Sequence, residues 1–253
     1  MPTYLYCVLA PASADAVPAG LTGIAGAPIR ILSGTGVAPL EAWVASVDED
    51  TLRVRGRALA AQALLHNEVV DAALATGRTP APARYGSRFP DDAACVADLT
   101  RRTDELRAIL DRVSGAVEIP TLLVPHELRT TSIERPTSSD AAAGRRYLES
   151  IRARVLDGDR RRSAAEREAA RLRARVADLV RDEARSFSAT GVMSIAHLVS
   201  RAAVDHYREA IATFAPAENF RVVRGEPRAP YSFASPPGGH RSGHDSSSPS
   251  RSE

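Results

Sequence analysis

Six histidines, two cysteines and a dense set of arginines are the groups in this chain that could do chemistry. His126-Glu127 opens like a zinc-protease helix, but Thr130 stands four residues after the histidine, where a second imidazole ligand is required. His66 and Glu68 are two residues apart on a helical segment and so point to different faces. His66 therefore reads as a packed or surface histidine and not as a base. Cys7 and Cys95 have neither C-x-x-C spacing nor a nearby histidine, and Cys7 sits in an apolar run where a thiol acts as a small hydrophobe. Gly34-Thr35-Gly36 reads as a turn, not a phosphate cradle. Every one of the 33 basic residues is arginine, so a Schiff-base lysine and a P-loop lysine are both excluded. Nucleophile, base and oxyanion site do not come together anywhere in the sequence. The expectation is a non-enzymatic protein with no cofactor and no metal.

Arginine chemistry offers an alternative. Residues 144–185 hold thirteen arginines against eight acids, with Arg160-Arg161-Arg162 the densest cluster. Such a face could bind phosphates, as a nucleic-acid-binding or regulatory module would. The competing reading is a solvated helix carrying intrahelical ion pairs, and no aromatic stacking motif of the RNA-recognition kind supports the first. With a net charge of +2, the chain as a whole is not a polyanion binder.

Two aromatic segments carry more information: Pro82-Ala83-Arg84-Tyr85-Gly86-Ser87-Arg88-Phe89 and Pro230-Tyr231-Ser232-Phe233. Each places rings beside a Pro or Gly that fixes the local backbone. They read as pins anchoring loops onto sheets, as an apolar groove for a hydrophobic partner, or as both.

The elements that would position them follow from periodicity. Strands are predicted at Tyr4 to Leu9, Ile29 to Leu32, Ala42 to Val47 and Ala116 to Val124. Pro120 suggests an edge position or a bulge for the last of these. A helix is predicted over Arg57 to Leu74, with Leu64, Leu65, Val69, Ala73 and Leu74 on one stripe. A second, capped by Asp91 or Asp92, reaches about Val113, and Gly115 stops it. Pro125 to Ala142 reads as a linker. From Gly144 to about Ser186 the pattern is helical, with an a/d seam that weakens at Gly158 and Arg162, so a hairpin or two consecutive helices is expected. Strand, helix and strand then recur at Ser194 to Val199, Arg201 to Phe214 and Phe220 to Val223. After Ala234 the polar tail has little to bury.

These elements predict an α+β protein of two domains. Residues 1–115 would form the first and 116–233, with a helical hairpin over 144–186, the second, before a disordered tail at 234–253. At 44% hydrophobic residues, 253 residues suffice for real cores. No apolar run approaches the roughly 18 residues of a membrane span, and the paucity of cysteine fits a reducing cytoplasm.

In order and spacing, Tyr4-Leu5-Tyr6, the Arg84 segment, Gly144-Arg145-Arg146-Tyr147-Leu148, Ala196-His197-Leu198-Val199 and the Tyr231 segment resemble the GvpL/GvpF family of gas vesicle proteins. The resemblance spans roughly Thr3 to Phe233. It implies ferredoxin-like sheet-and-helix packing with a coiled-coil-like helical element. It also implies an accessory role in gas vesicle formation, in the cytoplasm or on the vesicle, with the hydrophobic shell protein GvpA and other accessory proteins as partners. The positions it marks are His66, Arg84, Tyr85, Gly86, Phe89, Tyr147, Leu148, Leu198, Pro230, Tyr231 and Phe233. Several positions depart from the family pattern: Arg228 replaces a usual tryptophan, Glu226 a glycine, Ala229 a proline, Arg88 a small apolar residue and His197 a tyrosine. An arginine at 228 would weaken an apolar groove.

Overall fold

The structure is a computed structural model that describes the chain except residues 12–16, 36–38, 127–140, 189, 217–218 and 236–253, with backbone alone for 141–157. The expected 125–142 linker, apart from its ends, and the polar tail lie outside the described residues. Two antiparallel sheets, each covered by helices, make a mixed helix-and-sheet fold.

The first sheet is built around β1 (Thr3–Leu9), whose seven residues are all buried. A strand without polar alternation must be covered on both faces. Its neighbours are β3 (Glu41–Ser46), flanked by β2 (Arg30–Ser33), and on the other side the short β4 (Ala81–Pro82) and β5 (Arg88–Phe89). The β1–β3 register shifts between Leu5 and Cys7. That irregularity turns Tyr4, Tyr6, Cys7 and Leu9 to one core and Leu5 and Val8 to the other.

A one-turn helix α1 (Glu49–Leu52) precedes α2 (Arg57–Ala75), which covers the tyrosine face with Val69, Val70 and Ala73. The inward stripe differs from the expected one. His66 and Val70 point inward, whereas Leu64 and Leu65 are exposed, the former at 63%. The opposite face is covered by α3 (Asp92–Arg101) and α4 (Thr103–Val113). Asp91 caps α3 through Ala94 N–H at 2.8 Å, and the single expected helix is broken in two at Arg102.

The second sheet has the order β7-β8-β6-β9, formed by β6 (Ala116–Pro125), β7 (Val180–Phe187), β8 (Met193–Ser200) and β9 (Phe220–Arg224). Helices α5 (Ala141–Arg175) and α6 (Val204–Ala212) cover one face, burying Ala165, Ala169, Leu172, Val176, Tyr207 and Ile211.

One expectation is corrected here, and one alternative is decided. In place of a helical hairpin over 144–186, one unbroken helix runs to Arg175 and residues 180–187 are an edge strand. Gly158 has open space around it and lowers helix stability by about 1 kcal/mol, too little to break a helix docked on a sheet. Charges on β7 read as helix by composition, yet they suit an edge strand exposed to water. Of the two readings of Pro120, edge or bulge, the bulge holds, since β6 is interior. It tolerates Pro120 because pairing with β9 ends at Thr121–Arg224 and resumes at Glu118–Arg228, with one more residue on the partner side. Gly225 donates its N–H to the Pro120 carbonyl at 2.8 Å, and a Cβ there would lie 2.6 Å from the proline ring. The missing proline N–H thus falls where the partner chain bulges away.

Candidate functional site

Residues 82–89 leave the sheet as a loop between β4 and β5, and its shape is fixed from inside. Ser87 N–H bonds the Arg84 carbonyl at 3.0 Å and Gly86 has φ +87°, the signature of a type II turn with glycine third. Tyr4 and His66 lock this turn to the core. The His66 Nε2–H donates to the Ala83 carbonyl at 3.1 Å, and the Tyr4 hydroxyl lies 2.9 Å from Nδ1 while accepting Gly86 N–H at 3.1 Å. Because the carbonyl can only accept, Nε2 carries a proton, and in the neutral ring Tyr4 donates to Nδ1. Burial pushes the His66 pKa down to about 4, offset only in part by the bond to Ala83. His66 is thus a pin between helix and loop.

Open space surrounds the Gly86 Cα, so Gly86→Ala tests the turn alone. It should cost about 1 kcal/mol through left-handed strain, read as a lowered urea midpoint. An unchanged midpoint would mean that the turn is not held in this form.

The other aromatic segment is a strap running from β9 across both sheets. Glu118 on interior β6 is fully buried, its Oε1 accepting from Arg228 Nε at 3.0 Å and Nη2 at 2.6 Å. The Ser232 N–H donates to Oε2 at 2.7 Å. Ala229 is buried in the first sheet's core, while Phe233 packs with Val113, Ala116, Ala196 and Leu198 against the second sheet. The Tyr231 hydroxyl donates to Asn67 on α2 at 2.7 Å, as Tyr85 does to Gln62 at 2.6 Å. Both aromatic segments are therefore anchored on α2. Pro230 is buried beside them.

Together they border one cleft of about 450 Å³. Leu5, Val8, Ala81 and Pro82 line it from the sheet, and Leu99 and Leu106 from α3 and α4. Arg84, Ser87 and Phe89 come from the first segment, and Tyr231 and Ser232 from the strap. Arg228 is not among the lining residues. Its guanidinium is turned to Glu118, so the arginine at 228 does not enter this cleft.

Elsewhere, Leu198 lies in the core beneath Phe233. Tyr147 and Leu148 fall on α5 where backbone alone is described. Sequence reasoning missed two buried polar clusters. The first is Glu118–Arg228, whose signal was a lone glutamate inside an apolar strand. In the second, His197 bonds Tyr207 at 2.6 Å and Glu183 at 2.7 Å, an arrangement of carboxylate, imidazole and hydroxyl. Burial pushes Tyr207 up to about 12, so its hydroxyl stays neutral. Burial would also raise Glu183, but His197 and Arg185 outweigh it and hold the carboxyl below its usual range. With His197 fully buried, this cluster ties β7, β8 and α6 together.

Burial pushes the Cys7 thiol up to about 12 and Cys95 to about 11, so both remain protonated. Among the described residues, no group of three or more His, Cys, Asp and Glu could hold a metal ion. Nor is any described helix long and apolar enough to cross a membrane. The described arginines of the basic segment are largely engaged within the protein. Arg171 pairs with Glu168 and Arg185 with Glu166 and Glu183, while Arg173, Arg175 and Arg181 bond main-chain carbonyls. Arg162 lies over the Phe187 ring.

A family model described as gas vesicle synthesis protein GvpL/GvpF matches residues 2–235. Among solved structures, the chain is similar to the gas vesicle protein GvpF from Anabaena sp. PCC7120, with a TM-score of 0.65 and 16% identity over 92% of this chain and 95% of that one. GvpF from Microcystis aeruginosa is similar too, with a TM-score of 0.63 and 16% identity over 92% of this chain and 98% of that one. At such identity the likeness concerns the fold. No curated protein matches the sequence.

Proposed function

This chain belongs to the gas vesicle synthesis protein GvpL/GvpF family, and from that premise we propose that it is a non-enzymatic accessory factor of gas vesicle formation. In this reading it binds the hydrophobic shell protein GvpA and assists early assembly, by nucleating the wall or by preventing aggregation of the subunit. It works in the cytoplasm or on the growing vesicle. The observation that carries the reading is the cleft: both aromatic segments marked by the family resemblance border it, and Leu5, Val8, Leu99 and Leu106 give it one apolar wall beside polar groups. A gas vesicle wall needs a subunit with one very apolar face. A helper that covers such a face transiently requires preformed apolar surface. Leu59, Leu64 and Leu65 of α2 are exposed as well, on the other side of the first sheet from the cleft.

We further treat residues 116–233 as a ferredoxin-like domain. The run of β6, α5, β7, β8, α6 and β9, with strand order β7-β8-β6-β9, supports that description. Residues 1–115 are taken as a separate first domain on the basis of their own sheet and cores. The Arg-rich nucleic-acid reading is not carried forward, given how many of those side chains are already paired.

Co-expression with the shell subunit tests the proposal. The expected result is that the two proteins co-purify and that the subunit stays soluble at concentrations where it otherwise precipitates. Shell protein that pellets equally with and without this chain would overturn it.

A further inference from the structure

The cleft carries more than apolar area, because one charge in it is uncompensated. Of its ionic groups, Arg102 donates to Glu105 at 2.9 and 2.7 Å and lies 3.4 Å from Asp98, which also pairs with Arg101. Those charges largely neutralise one another. Arg84 stands exposed at the mouth, and among the described residues its guanidinium has no hydrogen-bonding or ion-pair partner. The loop holds it there: it is the first residue of the turn closed by Ser87 and fixed from beneath by His66 and Tyr4. A guanidinium whose backbone is preset, beside a wall made by Leu5, Val8, Leu99 and Leu106, suits a ligand with two features. It must offer an apolar side chain and, next to it, a carboxylate that a guanidinium can grip with two hydrogen bonds. At about 450 Å³ the space is within the ~300–1,000 Å³ range of sites that enclose a ligand.

We propose that this cleft recognises a segment of the shell subunit in which an apolar side chain is adjacent to an aspartate or glutamate, with Arg84 as the carboxylate receptor. The inference rests on the reading that the chain docks the shell subunit and deepens it by naming what is docked. The chain's own C-terminal residues begin at the rim, since Ser235 lines the cleft. The eighteen residues that follow include no apolar side chain larger than proline, so they do not match the apolar wall.

The test is an array of overlapping 15-residue peptides covering the shell subunit and the other accessory proteins of the same organism. It is probed with the intact protein, with Arg84→Gln and with a chain ended after Ser235. Arg84 is exposed and unpaired, so its replacement leaves the fold intact, and circular dichroism verifies this. The expected result is retention of shell peptides carrying the apolar–acidic pair. Signal should fall roughly tenfold on Arg84→Gln or on changing the peptide acid to its amide, and the two changes together should cost no more than either alone. Retained peptides that lack an acid or ignore Arg84→Gln would overturn the inference, and so would an empty array. A signal that emerges only in the shortened chain would assign the cleft to the tail. If peptides bind in an Arg84-dependent way but none comes from the shell subunit, the cleft chemistry holds and the shell reading fails. If the whole shell subunit co-purifies equally with the protein and with Arg84→Gln, that reading holds and the cleft inference fails.

Discussion

Replacing Arg228 with alanine is expected to lower the unfolding free energy by about 3 kcal/mol, the low end of what breaking a buried ion pair costs. The loss falls on the partner that remains. Arg228 keeps 47% of its side chain in water, so its own desolvation is modest, whereas Glu118 is fully buried on an interior strand. Without the guanidinium, that carboxylate retains only the Ser232 N–H among its side-chain contacts described here. The neutral double variant Arg228→Ala/Glu118→Gln should therefore be more stable than the single one, because a buried amide tolerates loss of a charged partner better. Exchanging Arg228 for the family's usual tryptophan should behave likewise, damaging alone and improved by Glu118→Gln. Urea unfolding of the parent, Arg228→Ala, Glu118→Gln and the double variant measures the cycle, and hydrogen exchange at Ser232 and Phe233 reports whether the strap loosens. A single-variant loss below about 0.5 kcal/mol, the level of an exposed pair, would show that the clamp does not hold the strap.

This clamp also indicates what could be read in advance. β1 was legible because the run Tyr4 to Leu9, without polar alternation, leaves few alternatives. The Arg84 and Tyr231 segments stood out through ring, proline and glycine chemistry, and the residues flanking them do come together on one cleft. Less accessible was anything decided by which distant residue sits opposite. Glu118 has its partner only through the fold, which brings Arg228 beside it from 110 positions later. The α5–β7 boundary was lost for a different reason. Arginine, alanine and glutamate fill both the helix and the edge strand, so composition does not change where the backbone does. His66 was read as packed or exposed, and burial decided for the former. Its role as a pin depended on a carbonyl 17 residues away and a hydroxyl 62 residues away, which no local pattern encodes.

That pin should make the protein acid-labile in a defined window. The folded His66 titrates near 4 against an ordinary 6.5, because burial disfavours the cation. Above 6.5 both folded and unfolded chains hold a neutral ring, and the stability is fully present. Between 6.5 and 4 the unfolded chain takes up a proton that the folded one refuses, so stability falls as pH drops, by about 3 kcal/mol across the window. The surroundings offer the cation no counter-charge. The rings packed on His66 are Tyr4, Tyr6, Tyr85 and Tyr231, all pushed upward by burial and neutral throughout this range. Protonating Nδ1 would also strand the Tyr4 hydroxyl proton, since Nδ1 is its acceptor. The decisive comparison is His66→Gln, which removes the titration. Its deficit relative to the parent should be constant above pH 6.5 and shrink by about 3 kcal/mol on acidification to pH 4. Carboxylates held low by ion pairs, such as Glu183, Glu105 and Asp92, lose their contribution at still lower pH and do so in both proteins, so they cancel. Parallel acid unfolding curves would remove His66 from the account. Convergent curves would also predict that the Arg84 loop, tied down by the same imidazole, loosens as the ring gains its proton.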